Sequence, residues 1–413
     1  MNLASNHKKT PKIGDLRYEA QENAASNLQS RHRRDDPQAE PSSGGAPRVL
    51  RVVIAGGGTG GHLFPGIAIA QEFMSRNSHN EIVFASTGNQ FEQRVLAKMN
   101  FTLERVTVEG IKGRGLWNQT KSICKLPKGI YQAIRILNRF KPDLVFGLGS
   151  YSAGPVVLAA KLLGVKIVLH EQNILPGITN RMLTRFADMI FVSFEDTKAH
   201  LASTRSKFTG NPVRKDILNG SRQLKREDSS EAGQKPFNIL IIGGSQGAHR
   251  INVTVVEALN HLRQTDDLYI FHQTGAADEK MVRDAYARHD VASTVQSFFD
   301  DMAPLYQDAD LIICRAGATT VAEITAIGKA VIFIPFPYAA DDHQALNAAS
   351  LTRKGAAEMI LEKDLTAKML GEKIEYYAFH PDALGAMARK AGESGNPNAA
   401  RDIVDECYRL LEG

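Results

Sequence analysis

The sequence predicts an α/β protein built from two doubly wound parallel-sheet domains that face a central cleft. Short β-branched runs alternate with longer segments of helical period in two series, one beginning at Val49 and the other at Phe237. Continuous apolar strands separated by helices are typical of parallel sheets that are covered on both faces. Each series opens with a strand that runs directly into a glycine-rich turn, which indicates two domains of similar construction.

The runs also predict the individual strands and the domain limits. Strands are expected at 49–55, 81–85, 143–147 and 166–170 in the first series, and at 237–242, 268–272, 311–314 and 330–335 in the second. Segment 219–235 is polar and has no strand of its own, so it marks the boundary zone. Residues 1–48 bury too little apolar surface to offset the entropy of ordering. We therefore expect a disordered polar tail (1–48), a first domain (49–214) and a second domain (215–396).

The composition and the cysteine pattern indicate the class of protein and its cellular compartment. Of the 413 residues, 43% are hydrophobic and 23% charged, which is ordinary for a globular protein. The cysteines Cys124, Cys314 and Cys407 are scattered without metal-ligand or redox spacing, which favours reduced thiols in the cytoplasm. No signal-length apolar segment is visible, and no run reaches the roughly 18–20 apolar residues that cross a bilayer. We therefore expect a protein that does not span a membrane.

The first glycine-rich turn, 56–62, ends in His62 and opens a helical segment. Its glycines fit the dinucleotide pattern, but residues 85–88, at the end of the second strand, include no acidic residue of the kind that a nicotinamide cofactor needs. A helix start after such a turn still suits a phosphorylated ligand. A neutral imidazole at the carboxyl end of a parallel strand can remove a proton from a sugar hydroxyl. His62 is thus a candidate base, the alternative being a helix cap or a core histidine.

Two further turns and one helix start carry polar residues. In the turn 243–248, backbone amides and the hydroxyl of Ser245 can cradle a diphosphate, and a third turn spans 147–155. Glu323 lies about one turn into the helix that follows a buried strand. It either complements the helix dipole or accepts both hydroxyls of a ribose. Acids and a histidine at 341–343 are adjacent on one loop and lack a fourth ligand, so we predict no metal there.

The segment 109–141 is basic and apolar at once. It contains eight basic residues against one acid, together with the only tryptophan in the chain. Such a segment suits contact with an anionic membrane surface, although a solvated helix face remains an alternative. Nucleic acid is disfavoured because the neighbouring turns favour small phosphorylated ligands. The predicted membrane patch consists of Ile111, Leu116, Trp117, Ile123 and Leu126.

Five motifs occur in a fixed order along the chain, at 57–62, 170–173, 210–214, 243–248 and 315–320. Together they resemble the MurG family, the N-acetylglucosaminyltransferases of peptidoglycan lipid intermediate synthesis. The resemblance runs from about Val49 to the C-terminus. It implies a GT-B fold with Rossmann-like domains, an N-terminal acceptor and membrane-binding domain, a C-terminal donor domain, and a last segment (397–413) that packs back on the first domain.

The resemblance also implies roles for individual residues. His62 would be the general base. Tyr151, His170 and Glu171 would face the acceptor. UDP-N-acetylglucosamine would be held by Thr59, Gly60, Gly61, Asn173, Arg214, Ser245, Phe299, Ala318, Thr319, Thr320, Val321, Ala322, Glu323 and Gln344. Phe299 would contact uracil chiefly through its backbone. No cofactor and no metal are implied.

The implied reaction is the inverting transfer of N-acetylglucosamine from UDP to the C4 hydroxyl of a lipid-linked muramyl pentapeptide. This step converts lipid I to lipid II in peptidoglycan synthesis. The protein would act at the cytoplasmic face of the bacterial membrane as a peripheral protein. Three alternatives remain open: a transferase of the same fold with another lipid or small-molecule acceptor, a UDP-N-acetylglucosamine 2-epimerase, and a sugar-nucleotide sensor.

Overall fold

The computed structural model describes residues 48–108, 116–201, 203–223, 235–244, 246–263 and 265–412, with side chains except in 116–125 and 221–223. These ranges form two parallel sheets, one in each half of the chain. The predicted α/β class with two doubly wound parallel sheets is confirmed. The tail expected over 1–48 lies outside the described residues apart from Arg48.

The first lobe contains a seven-stranded sheet whose strands all run parallel. Its strands are β1 (Arg51–Ala55), β2 (Glu81–Ser86), β3 (Thr102–Arg105), β4 (Leu144–Gly147), β5 (Lys166–Glu171), β6 (Met189–Val192) and β7 (Ser206–Phe208). The connecting helices are α1 (Gly60–Arg76), α2 (Gln90–Lys98), α3 (Leu116–Phe140), α4 (Ser150–Leu163) and α5 (Ile178–Leu183). The order β3-β2-β1-β4-β5-β6-β7 reverses between β1 and β4. Open sheets of this kind bind ligands at such a reversal.

The second lobe contains a six-stranded parallel sheet. Its strands are β8 (Phe237–Ile242), β9 (Leu268–Gln273), β10 (Ala292–Gln296), β11 (Leu311–Cys314), β12 (Ala330–Phe333) and β13 (Glu358–Met359). Its helices are α6 (Lys215–Gln223), α7 (His249–Ala258), α8 (Glu279–Arg288), α9 (Ala303–Asp308), α10 (Ala318–Ile327), α11 (His343–Thr352), α12 (Ala367–Phe379) and α13 (Pro381–Ser394). The order β10-β9-β8-β11-β12-β13 reverses between β8 and β11.

Helices cover both faces of each sheet, which is why the central strands are apolar throughout. In β1, Val53 packs on the side of α4 and Val52 on the side of α1, and neither is exposed. This follows from the alternation of side chains along a strand. Burying one such side chain stabilises the fold by about 1.5–3 kcal/mol. The sheets are therefore rigid supports for the turns at their carboxyl ends.

The C-terminal helix α14 (Ala399–Glu412) returns to the first lobe. Its apolar side, including Ile403 and Cys407, is buried in the same core cluster as the apolar side of α1. Asp405 forms an ion pair with Arg76 of α1 at 2.6 Å. The chain therefore crosses between the lobes twice, once after β7 and once before α14.

Candidate active site between the lobes

A buried carboxylate holds the first glycine-rich turn from beneath. Glu92 of α2 is fully buried and accepts hydrogen bonds from the backbone N–H of Gly58 and from the hydroxyl of Ser86. Its second oxygen accepts from the N–H of Asn89 (2.8 Å), whose side chain caps α2. A side chain at Gly57 would collide with the Glu92 carboxylate, so this position requires glycine. The turn is fixed by these contacts.

The start of α1 meets the second lobe. The hydroxyl of Thr319 in α10 donates to the carbonyl oxygen of Gly61 at 3.1 Å. Thr59 and Gly61 are exposed and Gly60 is partly exposed. Amides at a helix start favour an anionic ligand. The structure thus brings these three residues to the junction of the lobes, and their contact with a donor stays a prediction.

His62 lies in the first turn of α1 and is partly buried. Its Nδ1 is 3.1 Å from Oε1 of Gln172. Burial lowers the pKa of His62 below its ordinary value, and the charge of Glu171 opposes that shift only in part. The imidazole is therefore neutral near pH 7, which is the state that a proton acceptor requires.

Gln172 links His62 to a second histidine. Its Nε2 donates to the carbonyl oxygen of Leu148 (2.9 Å) and lies 3.1 Å from Nδ1 of His170. The other ring nitrogen of His170 is 3.3 Å from the carbonyl oxygen of Gly210. Burial lowers the pKa of His170 to about 4, so this ring is also neutral near pH 7.

The expectation that His170 and Glu171 face the acceptor is corrected by the structure. Both side chains are buried, with exposed fractions of 0% and 2%. The carboxylate of Glu171 accepts from the backbone N–H of Asn173 (3.0 Å) and from Nδ2 of Asn180 (2.8 Å), so it holds the following loop. Tyr151, at the start of α4, is exposed, and its contact with an acceptor stays a prediction.

The second glycine-rich turn follows β8, and Ser245 within it lies outside the described residues. Gly247 has a φ of +79°, and a side chain there would collide with the backbone of Thr274. The amide of Gln273 joins this turn to the next loop: Nε2 donates to the carbonyl of Gly244 (3.0 Å) and Oε1 accepts from the N–H of Phe299 (3.0 Å). Because that N–H is occupied, a backbone contact of Phe299 with uracil would use its carbonyl oxygen.

Glu323 lies in α10 at the junction of the lobes and is 7% exposed. One oxygen accepts from the hydroxyl of Tyr306 (2.9 Å), and the other is 3.7 Å from the guanidinium of Arg214. Burial raises the pKa of Glu323, and the charge of Arg214 opposes that shift. Arg214 also stacks 4.3 Å above the ring of Phe64 in α1. In this structure Arg214 therefore pairs with the candidate ribose carboxylate.

The α10 residues predicted to line the nucleotide divide between two faces of the helix. Thr319 and Glu323 point to the junction with the first lobe. Ala318, Val321 and Ala322 instead line a cavity of about 520 Å³ on the hinge side of the helix, while Thr320 is partly exposed. Five successive helical residues cannot share one face, because each is rotated by about 100° from the last. Contacts of residues 318–322 with a nucleotide therefore stay a prediction, in which the backbone at the start of α10 would have to supply part of them.

Two polar side chains of α11 approach the cleft. Oε1 of Gln344 accepts from the N–H of Phe336 at 3.0 Å, which orients its amide. Nδ2 of Asn347 donates to Oδ1 of Asn173 at 3.2 Å, and so joins the second lobe to the first. Donor contacts of Asn173 and Gln344 stay predictions.

Within the described ranges, no group of three or more His, Cys, Asp and Glu side chains is arranged to hold a metal ion. Asp341 and Asp342 precede α11 in a strained loop, each with a φ of +54°. Cys314 and Cys407 are free, buried thiols, and burial raises the pKa of both.

The predicted membrane patch falls largely on α3. Ile111 lies outside the described residues, and Leu116, Trp117 and Ile123 belong to the part of α3 whose side chains are not described. Leu126 is 37% exposed and Tyr131, one turn further on, is 62% exposed. Among the described helices, none is long and apolar enough to cross a bilayer.

Two family models match the two lobes. The glycosyltransferase family 28 N-terminal domain matches residues 52–192, and the C-terminal domain of the same family matches residues 238–406. Because both lobes match domains of glycosyltransferase family 28, the chain is a GT-B glycosyltransferase, and the predicted fold class and enzyme class are confirmed.

A curated relative from Syntrophus aciditrophicus is 46% identical over 88% of this chain and 99% of its own length. It is named UDP-N-acetylglucosamine–N-acetylmuramyl-(pentapeptide) pyrophosphoryl-undecaprenol N-acetylglucosamine transferase. The crystal structure of Acinetobacter baumannii MurG is 34% identical, covers 86% of this chain and 98% of that one, and has a TM-score of 0.68. The chain belongs to the MurG family of glycosyltransferases.

The likeness to a UDP-N-acetylglucosamine 2-epimerase concerns the fold alone. The enzyme from Neisseria meningitidis, crystallised with UDP-N-acetylglucosamine, is 16% identical to this chain. It covers 87% of this chain and 99% of its own length, with a TM-score of 0.63. The epimerase alternative thus has a related architecture without a close relative in sequence.

The sequence did not predict five residues whose side chains hydrogen-bond to the candidate site residues or to their loops. They are Glu92, Gln172, Gln273, Tyr306 and Asn347. Two of them carried a local signal. Gln172 stands inside the quoted motif 170–173, and Asn89 with Glu92 forms the spacing of a capping box.

Proposed function

We propose that this chain transfers N-acetylglucosamine from UDP-N-acetylglucosamine to the C4 hydroxyl of undecaprenyl-diphosphate-linked N-acetylmuramyl pentapeptide, with inversion at the anomeric carbon. Membership of the MurG family supports the substrates. The observation that carries the chemistry is His62, a neutral imidazole at the start of α1, where the two lobes meet.

In the proposed mechanism, His62 accepts the proton of the C4 hydroxyl as its oxygen attacks the anomeric carbon. The bond from that carbon to the diphosphate oxygen breaks, and UDP leaves with the bonding electrons. The helix start after the second glycine-rich turn, with Ser245, stabilises the charge on the leaving diphosphate. Glu323 holds the ribose, with one oxygen already fixed by Tyr306. We propose that oriented amides take the place of a metal ion, and that no cofactor is required.

The decisive experiment follows the transfer of labelled sugar from UDP-N-acetylglucosamine to a short-chain lipid-linked muramyl pentapeptide. Wild-type protein is expected to form the disaccharide product, and His62→Ala to lose about 100-fold or more in turnover, the usual scale for a general base, with UDP affinity nearly unchanged. The control is His79→Ala, because His79 is exposed and lies outside the cleft. Full turnover by His62→Ala would remove this residue from catalysis.

The same assay separates the alternatives. Conversion of the UDP-sugar without any acceptor would favour the 2-epimerase. Transfer to diacylglycerol or another alcohol, with none to the muramyl lipid, would favour a different acceptor. Tight nucleotide binding without turnover on any of these would favour a sensor.

We further propose that the protein binds the cytoplasmic face of the membrane through the basic segment 109–141. Leu126 and Tyr131 are exposed beside Lys128 and Arg135 on α3. Apolar side chains flanked by cations suit an anionic headgroup layer. Leu126→Glu should weaken co-sedimentation with phosphatidylglycerol vesicles, while Leu162→Glu, at the far end of α4, should not. Equal binding to phosphatidylcholine vesicles would contradict the proposal.

A further inference from the structure

The side chain of Gln172 is 1% exposed, and one of its terminal atoms contacts Nδ1 of His62. The identity of its two terminal atoms follows from their partners. The atom 2.9 Å from the carbonyl oxygen of Leu148 must be the NH2 group, since a carbonyl only accepts. The other terminal atom, Oε1, is therefore the one that lies 3.1 Å from Nδ1 of His62.

An amide oxygen cannot donate, so Nδ1 of His62 must carry the hydrogen of that contact. In a neutral imidazole only one nitrogen is protonated, and Nε2 is then left with the lone pair. We propose that Gln172 is the positioning residue that fixes His62 in the Nδ1–H tautomer, so that Nε2 is the atom that accepts the proton of the acceptor hydroxyl. This inference rests on the proposed function, because it assigns the basic atom of the same site.

His170 completes the arrangement. The second hydrogen of the Gln172 amide points to Nδ1 of His170 at 3.1 Å, which requires an unprotonated nitrogen there. His170 then donates from Nε2 to the carbonyl oxygen of Gly210 at 3.3 Å. The hydrogen bonds thus form a chain with a single direction: His62 donates to Gln172, Gln172 donates to His170, and His170 donates to Gly210. Each bond in such a chain polarises the next, so the chain orients the amide as well as the imidazole.

Glutamine differs from a carboxylate in this position in one measurable respect. A carboxylate beside the imidazole would stabilise its protonated form and raise its pKa. A neutral amide fixes the tautomer and raises the pKa too little to offset the lowering by burial. When His62 takes up the proton, its Nδ1–H becomes a charged donor and the bond to Gln172 strengthens. Gln172 therefore stabilises the transition state without weakening donor binding.

The test uses Gln172→Met, which keeps the volume and removes the amide, and Gln172→Glu. Gln172→Met should lower kcat about 10- to 100-fold, by analogy with the loss found when the hydrogen-bond partner that orients a metal-binding histidine is removed, with the Michaelis constant for UDP-N-acetylglucosamine unchanged. Gln172→Glu should move the acid limb of the kcat/KM profile to higher pH. Asn238→Leu is the control, since the partly buried Asn238 amide donates to the carbonyl oxygen of Asp308 (2.9 Å) at the amino end of β8, whereas the glycine-rich turn follows the carboxyl end.

Three outcomes are distinguishable when the acceptor is a soluble, short-chain lipid. Nitrogen-15 spectra of labelled histidine should show the Nδ1–H tautomer of His62 in wild type and a mixture in Gln172→Met. In a His62→Ala background, Gln172→Met should add no further loss. Loss of turnover in His62→Ala but not in Gln172→Met, with unchanged spectra, would overturn the role of Gln172 alone. Normal turnover in His62→Ala would overturn the proposed function itself.

Discussion

The chemistry of the cleft depends on a balance at one residue, His62. Burial lowers its pKa and is the largest effect, while the Glu171 carboxylate, the Gln172 side chain and the Leu148 backbone raise it. The Glu171 carboxylate is hydrogen-bonded to residues of the segment that follows it. It therefore raises the pKa of His62 through its charge. The result is a base that is unprotonated across the physiological range.

This balance predicts the pH dependence of the reaction. Burial lowers the pKa of His62 below its ordinary value, so kcat/KM should reach a plateau by neutral pH and fall as the pH drops through that lowered pKa. Below it, the slope should approach tenfold per pH unit, since each unit removes a tenfold share of neutral imidazole. The measurement is kcat/KM for the acceptor as a function of pH, at a saturating concentration of UDP-N-acetylglucosamine. The residual activity of His62→Ala should show no such limb, and a wild-type midpoint above pH 7 would contradict the lowered pKa.

Glu323 supports a second prediction at the residue scale. Glu323→Gln should raise the donor Michaelis constant about tenfold or more, because hydrogen bonds to a charged acceptor contribute about 1.5–3 kcal/mol, while kcat changes little. Asp216→Asn is the control: Asp216 also pairs with Arg214, at 3.3 Å, but is 42% exposed. An exposed ion pair contributes about 0–1 kcal/mol. Unchanged donor affinity in Glu323→Gln would refute the ribose assignment.

The positions of the first two glycine-rich turns could be predicted, because each follows a strand with a continuous apolar run. Gln172, Gln273 and Tyr306 could not, since their roles depend on partners brought together by the sheet. Glu171 shows the reverse error. A carboxylate in the motif was expected to face an acceptor, but its oxygens are taken by the loop that follows it.

At the scale of elements, the eight strands predicted are the central ones in each lobe, where both faces are apolar. The missed strands β3, β7, β10 and β13 lie at the sheet edges and are partly exposed, so they lack a continuous apolar run. The missed β6 is apolar but only four residues long. A run of that length cannot be told from part of a buried helix by its period.

The contact between α2 and the first glycine-rich turn predicts a large effect of Glu92→Gln. The amide supplies only one accepting oxygen to donors that now bind two, and its NH2 group would face other N–H and O–H donors. We expect a loss of about 1–3 kcal/mol in the free energy of unfolding, the cost of unmet buried donors. Urea denaturation measures it. Glu81→Gln, in an exposed pair with Arg51, should change stability by less than about 1 kcal/mol.

At the scale of the whole molecule, the two lobes are joined by contacts between residues far apart in sequence. Thr319 bonds to Gly61, Asn347 to Asn173, and Lys98 forms an exposed ion pair with Asp300. Sequence reasoning anticipated a cleft but none of these pairs, because each depends on how the lobes are oriented. They hold the helix start of His62 beside the helix of Glu323, and the site is thereby built from residues of both lobes.

Each lobe also buries one neutral histidine in its sheet, and this predicts how stability depends on pH. Burial lowers the pKa of His170 to about 4 and that of His272 to about 3. In the unfolded chain both titrate near 6.5, so above that pH they leave stability unchanged. As the pH falls below 6.5, these histidines become protonated in the unfolded state but stay neutral in the folded state. The free energy of unfolding therefore decreases by about 1.4 kcal/mol per pH unit for each histidine.

The free energy of unfolding, measured in urea at pH 7 and pH 5, should therefore fall by roughly 4 kcal/mol through these two rings. His272→Gln tests the assignment, since His272 is held between the hydroxyl of Tyr286 (2.7 Å) and Oδ1 of Asn252 (3.0 Å). The free energy of unfolding of His272→Gln should be lower than that of wild type at pH 7. Its decrease between pH 7 and pH 5 should be only about half as large as in wild type. The exposed His79→Gln should keep all of it. An identical decrease in His272→Gln would show that carboxylates, rather than buried imidazoles, set the acid limit of this fold.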